Sequence, residues 1–139
     1  MKKLFLLILV FTSAPASAEW LKIKGKADSS PGKFIDVETI RQTGPMNTMR
    51  RVWEIDHLAE PDSNGALSIK NYVEYDCKDH RVRMLEESSF TEYWAKGQNL
   101  ASRVHDSKSA KWRAIGKRSV GEIVFRRVCP HDESDTKVR

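Results

Sequence analysis

Cys77 and Cys129 carry the most reactive side chains in this sequence of 139 residues. Two kinds of chemistry are open to them. Cys129 could join His131 and Asp132 in a metal site, although structural zinc usually takes four protein ligands with two cysteines close in sequence. Alternatively, the two cysteines could form one disulfide, which requires an oxidising compartment. The choice therefore depends on where the chain is located.

The N-terminal segment has the pattern of a secretory signal peptide. Lys2 and Lys3 precede an unbroken apolar run over residues 4–11, and Ala16-Ser17-Ala18 supplies the small residues that signal peptidase requires. The run is too short to cross a bilayer, which takes about 20 apolar residues at helical rise. We therefore expect residues 1–18 to be cleaved and the mature chain, beginning at Glu19, to be periplasmic or secreted. In that compartment the two cysteines should form a disulfide.

The mature chain is predicted to be a single small domain without an anchor. Residues 19–130 suffice for a modest core, and the polar stretch 131–139 is expected to be a disordered tail. Because Glu19 is not a cysteine, we expect no lipid anchor, and no later stretch is long and apolar enough to span a membrane. The formal net charge of the whole chain is +5, and loss of Lys2 and Lys3 lowers it by two. This mild charge favours anionic partners weakly and does not indicate nucleic acid.

The histidines form no recognisable catalytic pattern. His57, His80 and His105 each adjoin an aspartate, but neighbours on a strand point to opposite faces, so these pairs make no acid–base dyad. We expect them, with His131, on the solvated surface. The sequence has no Gly-x-Ser-x-Gly motif or glycine-rich phosphate loop, and a disulfide would leave no free thiolate. It therefore predicts no enzyme, no cofactor and no metal site.

Short apolar runs separated by polar turns predict an α+β fold, with an antiparallel meander of about five to six strands. Strands are predicted over 20–23, 34–40, 51–58, 67–77 and 81–89. The strand 67–77 places Val73 and Tyr75 on one face and Glu74 and Asp76 on the other. We expect Trp53 and Tyr75 in the core, and Trp94, which lies near a turn, to be the most exposed tryptophan.

A C-terminal helix is predicted after Ser119. The segment Ser119-Val120-Gly121-Glu122 has the spacing of a capping box, and Pro130 ends the helix. Val120, Ile123, Val124 and Val128 recur at helical spacing and are predicted to form the buried face. Since Cys129 lies at the helix end, the disulfide would fasten the helix to the sheet.

Three basic pairs are the candidates for binding a partner: Arg50 with Arg51, Arg81 with Arg83, and Arg126 with Arg127. Arg81 and Arg83 share a strand face because side chains alternate with a period of two. A surface that gathered these pairs could bind sulfated glycans, lipid headgroups or acidic protein segments through bidentate contacts. The alternative is a solvated surface whose charge is balanced by nearby glutamates.

The order of these elements resembles the surface-adhesin protein E-like family of small exported bacterial proteins. The resemblance covers nearly the whole mature chain and depends on these features: Trp20, Phe34-Ile35-Asp36, Ile40-Arg41, Trp53, Tyr75-Asp76-Cys77, Arg81-Val82-Arg83, Trp112 and 120–129. It implies an antiparallel sheet with a C-terminal helix bridged to it by Cys77 and Cys129. It also implies that the family's named member is displayed at the cell surface and binds host matrix proteins.

Two classes of function are left open by the sequence. The first is a non-enzymatic exported module that binds an extracellular or envelope protein or an anionic glycan. The second is a periplasmic inhibitor or stress-response factor, for which the turn Pro61–Gly65 is the candidate loop. In either case, an edge strand left unpaired by the meander could join two copies in an oligomer.

Overall fold

The structure, a computed structural model, describes residues 18–23 and 31–129. Within these ranges the chain forms one antiparallel sheet of eight strands and one α-helix. The elements are β1 (Trp20–Ile23), β2 (Gly32–Asp36), β3 (Arg41–Thr43), β4 (Met49–His57), β5 (Ser68–Asp76), β6 (Arg81–Glu92), β7 (Lys96–Val104), β8 (Arg113–Ala114) and α1 (Val120–Val128). The tail and all but the last residue of the expected signal peptide lie outside the described residues.

The sheet confirms the predicted meander and has more strands than predicted. Its order is β1-β2-β4-β5-β6-β7, with β3 also pairing with β4 and β8 also pairing with β6. The additional strands are β3, β7 and β8. Strands β3 and β8 have only three and two residues. Strand β7 is exposed on both faces, so its sequence lacks the apolar alternation by which strands are recognised.

The second predicted strand, 34–40, is shorter than expected at its C-terminal end. Strand β2 ends at Asp36, whose side chain accepts a hydrogen bond from the N–H of Glu38 at 3.2 Å. This bond caps a 3₁₀ turn over Val37–Thr39. Val37 and Thr39 are β-branched and favour a strand, but the cap made by Asp36 ends the strand before them.

The two outermost strands of the described sheet differ in length. Strand β1 has four residues and β7 has nine. The register of β7 against β6 shifts at two points, and such bulges weaken the pairing of an edge with another chain. Self-association through an edge strand stays a prediction, and β7 is the longer candidate.

One face of the sheet, called the inner face here, packs against α1. It contributes Ile35, Val52, Val73 and Tyr75, which are at most 3% exposed. The helix contributes Val124, Phe125 and Val128 to the same cluster. The opposite face, called the outer face, has no α-helix over it among the described residues, and a short 3₁₀ turn, Tyr93–Ala95, lies at one end of it.

The helix begins as predicted but buries a different side. The Oγ of Ser119 accepts the N–H of Glu122 at 3.1 Å, which is the expected cap. The predicted buried face was wrong in part: Val120 and Ile123 are 39% and 37% exposed, whereas Phe125 is buried. Burying the large aromatic ring removes more apolar surface from water than burying Val120, so the helix turns Phe125 toward the sheet.

The disulfide between Cys77 and Cys129 is confirmed, with an Sγ–Sγ distance of 2.05 Å. Cys77 directly follows β5 and Cys129 directly follows α1. The bond therefore fixes the C-terminal end of the helix at the end of a central strand.

Replacing both cysteines with alanine should destabilise the protein by about 4 kcal/mol, because the bridge closes a loop with a sequence separation of 52. Urea unfolding of oxidised wild type and the Cys77→Ala/Cys129→Ala variant measures this difference. An unchanged unfolding free energy would contradict a structural role for the bridge.

Candidate partner-binding face

The outer face brings together predicted partner-binding residues from separate strands. Arg51 on β4 lies directly opposite Glu74 on β5, and Glu74 lies directly opposite Arg83 on β6. Opposed residues of antiparallel strands point to the same side, so the three side chains form one row across the sheet. The sequence alternation had placed Glu74 on a strand face, but only the register shows that it separates two arginines.

Glu74 is a buried carboxylate held by both arginines of this row. Only 1% of the residue is exposed. Nε of Arg51 donates to Oε1 at 2.7 Å, and Nε of Arg83 donates to Oε2 at 2.6 Å. The hydroxyl of Thr43 adds a bond to Oε1 at 3.2 Å. Burial raises the pKa of Glu74, but the bonds and charges of the two arginines outweigh this effect and hold it below its usual value.

A second ion pair lies next to this row. Arg81 is directly opposite Asp76 and donates to Oδ2 from Nε at 3.0 Å and from Nη2 at 2.9 Å. Asp76 also accepts the N–H groups of Lys78 and Asp79. Burial raises the pKa of Asp76, but the bonds from these N–H groups and from Arg81 have the larger effect and hold the pKa below its usual value.

Trp112 covers both arginines of β6. Its ring centroid lies 4.7 Å from the guanidinium carbon of Arg81 and 4.3 Å from that of Arg83. Trp112 directly precedes β8, which pairs with the start of β6. The ring therefore fixes the planes of two guanidinium groups through cation–π contacts.

An aromatic pair continues the outer face away from the arginines. The rings of Trp53 and Tyr72 stack with centroids 4.7 Å apart, and Nζ of Lys70 lies 4.5 Å from the Trp53 centroid. The prediction that Trp53 is a core residue was wrong, since it is only partly buried, whereas its neighbour Val52 is fully buried on the inner face. Strand alternation allows only one of the two residues to point inward.

The other predicted binding residues lie elsewhere. Arg50 points to the inner face, is 9% exposed, and donates from Nη1 to the carbonyls of Asn47 and Met49 at 2.5 and 2.9 Å. Arg126 and Arg127 are on the helix that covers the inner face, and Arg126 pairs with Glu122 at 2.9 Å. The structure therefore groups Arg51, Arg81 and Arg83 and separates them from the remaining three.

The prediction of solvated histidines holds for His80, which is exposed, and is wrong for His57, which is only 8% exposed. His57 lies among the rings of Phe34, Tyr93 and Trp94. Burial lowers its pKa, although the charge of the adjacent Asp56 acts in the opposite direction.

Trp94 is 41% exposed, as expected from its turn, while one side of its ring packs in the His57 cluster. His131 and Asp132 lie outside the described residues. Among the described residues, no group of three His, Cys, Asp or Glu side chains could hold a metal ion.

Replacing Glu74 with glutamine should destabilise the protein by about 3 kcal/mol at neutral pH, because it leaves Arg83 and the partly exposed Arg51 without the buried carboxylate that pairs with both. Since the folded-state pKa of Glu74 is lowered, its contribution is present above the usual value of 4.5 and is lost as pH falls through the folded-state pKa. The difference in unfolding free energy between wild type and Glu74→Gln should therefore shrink in acid.

The matched control for this experiment is Glu60→Gln, which neutralises an exposed carboxylate in the loop between β4 and β5. It should change stability by less than about 0.5 kcal/mol. Equal effects of the two substitutions, or a Glu74→Gln deficit that does not depend on pH, would contradict the assigned role of Glu74.

Solved structures of another protein share this fold. A crystal form II structure of Haemophilus influenzae protein E superposes with a TM-score of 0.58 at 11% sequence identity, covering 88% of this chain and 96% of that chain. A second structure of Haemophilus influenzae protein E has a TM-score of 0.52 at 14% identity, covering 79% of this chain and 92% of that chain. At such identities the likeness concerns the fold.

No curated protein matches the sequence. No helix among the described residues is long and apolar enough to cross a membrane. The sequence model of the family described as Surface-adhesin protein E matches residues 20–130, which span every element of the sheet and the helix. The chain belongs to the surface-adhesin protein E family.

Proposed function

We propose that this protein is an exported binding module whose outer face engages an anionic partner, either a sulfated glycan or an acidic segment of an extracellular or envelope protein. The family supports an adhesin-like protein of the exported or surface-located kind. The main support is the arrangement of Arg51, Arg81 and Trp112 on a sheet face over which the described part of the chain places no α-helix. The proposal assigns binding and no reaction to the chain.

Arg51, Arg81 and Arg83 have unequal roles in this binding. The Arg83 side chain is 13% exposed, and its nitrogens bond to Glu74 and to the carbonyl of Ser107. Those of Arg51 and Arg81 are 32% and 38% exposed. Arg83 therefore acts as a positioning residue, and Arg51 and Arg81 present guanidinium edges to a ligand.

Binding at this face depends on orientation more than on total charge. Glu74 and Asp76 neutralise much of the arginine charge, so the face exerts little long-range attraction. The same carboxylates and the Trp112 ring hold the guanidinium planes in place, which reduces the side-chain entropy lost on binding. Trp, Tyr and Arg are also the residues enriched where binding energy is concentrated.

Export supports access to such a partner. We propose that the chain is periplasmic or secreted without a lipid anchor and that cleavage follows Ala18. The position of Glu19 fits this boundary, because its carbonyl accepts the N–H of Val37 at 3.3 Å and β1 starts at the next residue.

No specific observation favours the inhibitor alternative. The loop Pro61–Gly65 is exposed and joins β4 to β5 as a compact turn. Its Asp62 carboxylate accepts the N–H groups of Asn64 and Ala66 at 2.8 and 2.9 Å. These bonds stabilise the turn as the connection of the β4–β5 hairpin.

Replacing Arg51 and Arg81 together with glutamine should weaken binding of a heparin hexasaccharide by about tenfold or more, because charge-assisted hydrogen bonds contribute about 1.5–3 kcal/mol each. Isothermal titration across a salt series measures the affinity. Wild-type binding should weaken as salt rises, since exposed charges are screened over about 8 Å at physiological ionic strength.

The control is Arg126→Gln/Arg127→Gln, which removes the same charge from the helix over the inner face. It should keep the wild-type affinity within about twofold, corresponding to roughly 0.4 kcal/mol. Equal losses in the two variants would indicate binding by overall charge and would contradict a defined outer-face site. An acidic peptide as second probe distinguishes a glycan partner from a protein partner.

N-terminal sequencing of the protein exported from its host should give Glu19-Trp20-Leu21 as the first residues, because Ala16 and Ala18 occupy the positions that signal peptidase reads. A first residue within β1, or retention of residues 1–18 in the exported protein, would contradict the proposed cleavage.

A further inference from the structure

The turn between β6 and β7, residues 93–95, is held by side chains of two other strands. The N–H of Trp94 donates to Nε2 of His57 at 3.1 Å, and the N–H of Ala95 donates to Oγ of Ser68 at 3.1 Å. Ser68 in turn donates to the carbonyl of Glu92 at 2.5 Å. Because His57 and Ser68 are directly opposite each other on β4 and β5, they act together on one turn.

This turn needs external restraint because of its backbone. Trp94 and Ala95 have φ values of 63° and 54°. Residues with a Cβ rarely adopt this left-handed region, since the Cβ approaches the following carbonyl oxygen. The hydrogen bonds from His57 and Ser68 therefore maintain a conformation that the turn does not favour by itself.

The bond to Trp94 requires a neutral imidazole. Nε2 of His57 accepts a hydrogen bond from Trp94, so this nitrogen is unprotonated and the neutral ring carries its proton on Nδ1. Both nitrogens of an imidazolium are donors, and the protonated ring would therefore oppose the N–H of Trp94 instead of accepting it.

The surroundings of His57 are mainly aromatic. The centroids of Phe34, Tyr93 and Trp94 lie 4.8, 4.6 and 4.5 Å from the imidazole centroid. Trp94 also contacts Trp20 at 6.2 Å. Such rings pack well against a neutral imidazole and replace the water that would solvate a charged one.

Both acidic groups, which favour the protonated ring, and basic groups, which disfavour it, lie around this cluster. The titratable and charged residues next to the ring's contacts include Asp56 on β4, Lys33 and Asp36 on β2, Lys22 on β1, Lys70 on β5, and Glu92 and Tyr93 at the turn. The Lys22 side chain passes over Gly32, the residue opposite His57. Burial outweighs the attraction of Asp56, so the pKa of His57 in the closed form is lowered.

We propose that His57 is an acid-sensitive latch: its neutral ring holds residues 93–95 closed against the sheet, and its protonation releases them. Release would move Trp94 away from Phe34 and Trp20 and expose their rings at the end of the outer face. The open form binds the proton more tightly than the closed form. Closure is therefore fully stabilised above the ordinary histidine pKa and weakens as pH falls toward the closed-form pKa.

The test uses nitrogen-15 NMR on the full mature protein from neutral to mildly acidic pH. The ring nitrogens of His57 report its protonation, and hydrogen exchange of the Trp94 and Ala95 amides reports opening of the turn. After correction for intrinsic exchange, the equilibrium constant for opening of the turn should rise about tenfold for each unit by which the pH is lowered, between the open-form and the closed-form pKa of His57. The amides of β5 should keep their protection throughout.

Two variants separate the latch from general acid sensitivity. His57→Gln retains an acceptor for Trp94 that does not titrate, so its turn should stay closed over the whole pH range. His105→Gln removes a histidine outside the cluster and should keep the wild-type response.

Several results would overturn the latch. One is Trp94 and Ala95 exchange that does not change while His57 titrates. A second is that His57 becomes protonated only when the amides of β5 also lose their protection from exchange. A third is that His57→Gln shows the same acid-dependent exchange of Trp94 and Ala95 as the wild type.

Discussion

In the described part of the chain, one nine-residue α-helix covers the apolar face of an eight-stranded sheet. A helix of this length is marginal in water, because the cost of nucleation is spread over few hydrogen bonds. It is stabilised by a capping serine at one end, by Phe125 in the core, and by the bond from Cys129 to the end of β5. The described residues therefore form a core on one face of the sheet and place no α-helix on the other.

The outer face solves a different physical problem. Three central strands bring charged and aromatic side chains into contact there, and each charge needs a partner once it is partly removed from water. Glu74 meets this need for two arginines at once, and Asp76 meets it for Arg81. The result is a surface whose donors are oriented before any ligand arrives, and this preorganisation connects the sequence of β5 and β6 to the proposed binding function.

The sequence predicted the parts of the fold that follow from local patterns. Short apolar runs between polar turns predicted the meander, and the capping box at Ser119 predicted the helix start. The signal-peptide pattern, which indicates an oxidising compartment, predicted the disulfide. Strand β7 was missed because exposure on both faces removes the apolar alternation, and the buried side of α1 was misjudged because Phe125 competes with Val120 for the core.

The candidate site depended on register, which the sequence does not contain. Arg81 and Arg83 could be assigned to one face by alternation alone. Their grouping with Arg51, the separation of Arg50, and the position of Glu74 between two arginines follow from strand pairing. The same pairing places His57 opposite Ser68 and makes it a buried ring, whereas residue type alone predicted a solvated one.

The central claim is that a ligand contacts the outer face of the sheet. An NMR titration of the mature protein with a heparin hexasaccharide tests it most directly, with the arginine Nε–H and tryptophan indole N–H signals as reporters. We expect the signals of Arg51, Arg81 and Trp112 to shift together and to follow one binding curve with a single Kd. Shifts confined to Arg126 and Arg127 on the helix, with the outer-face signals unchanged, would contradict it.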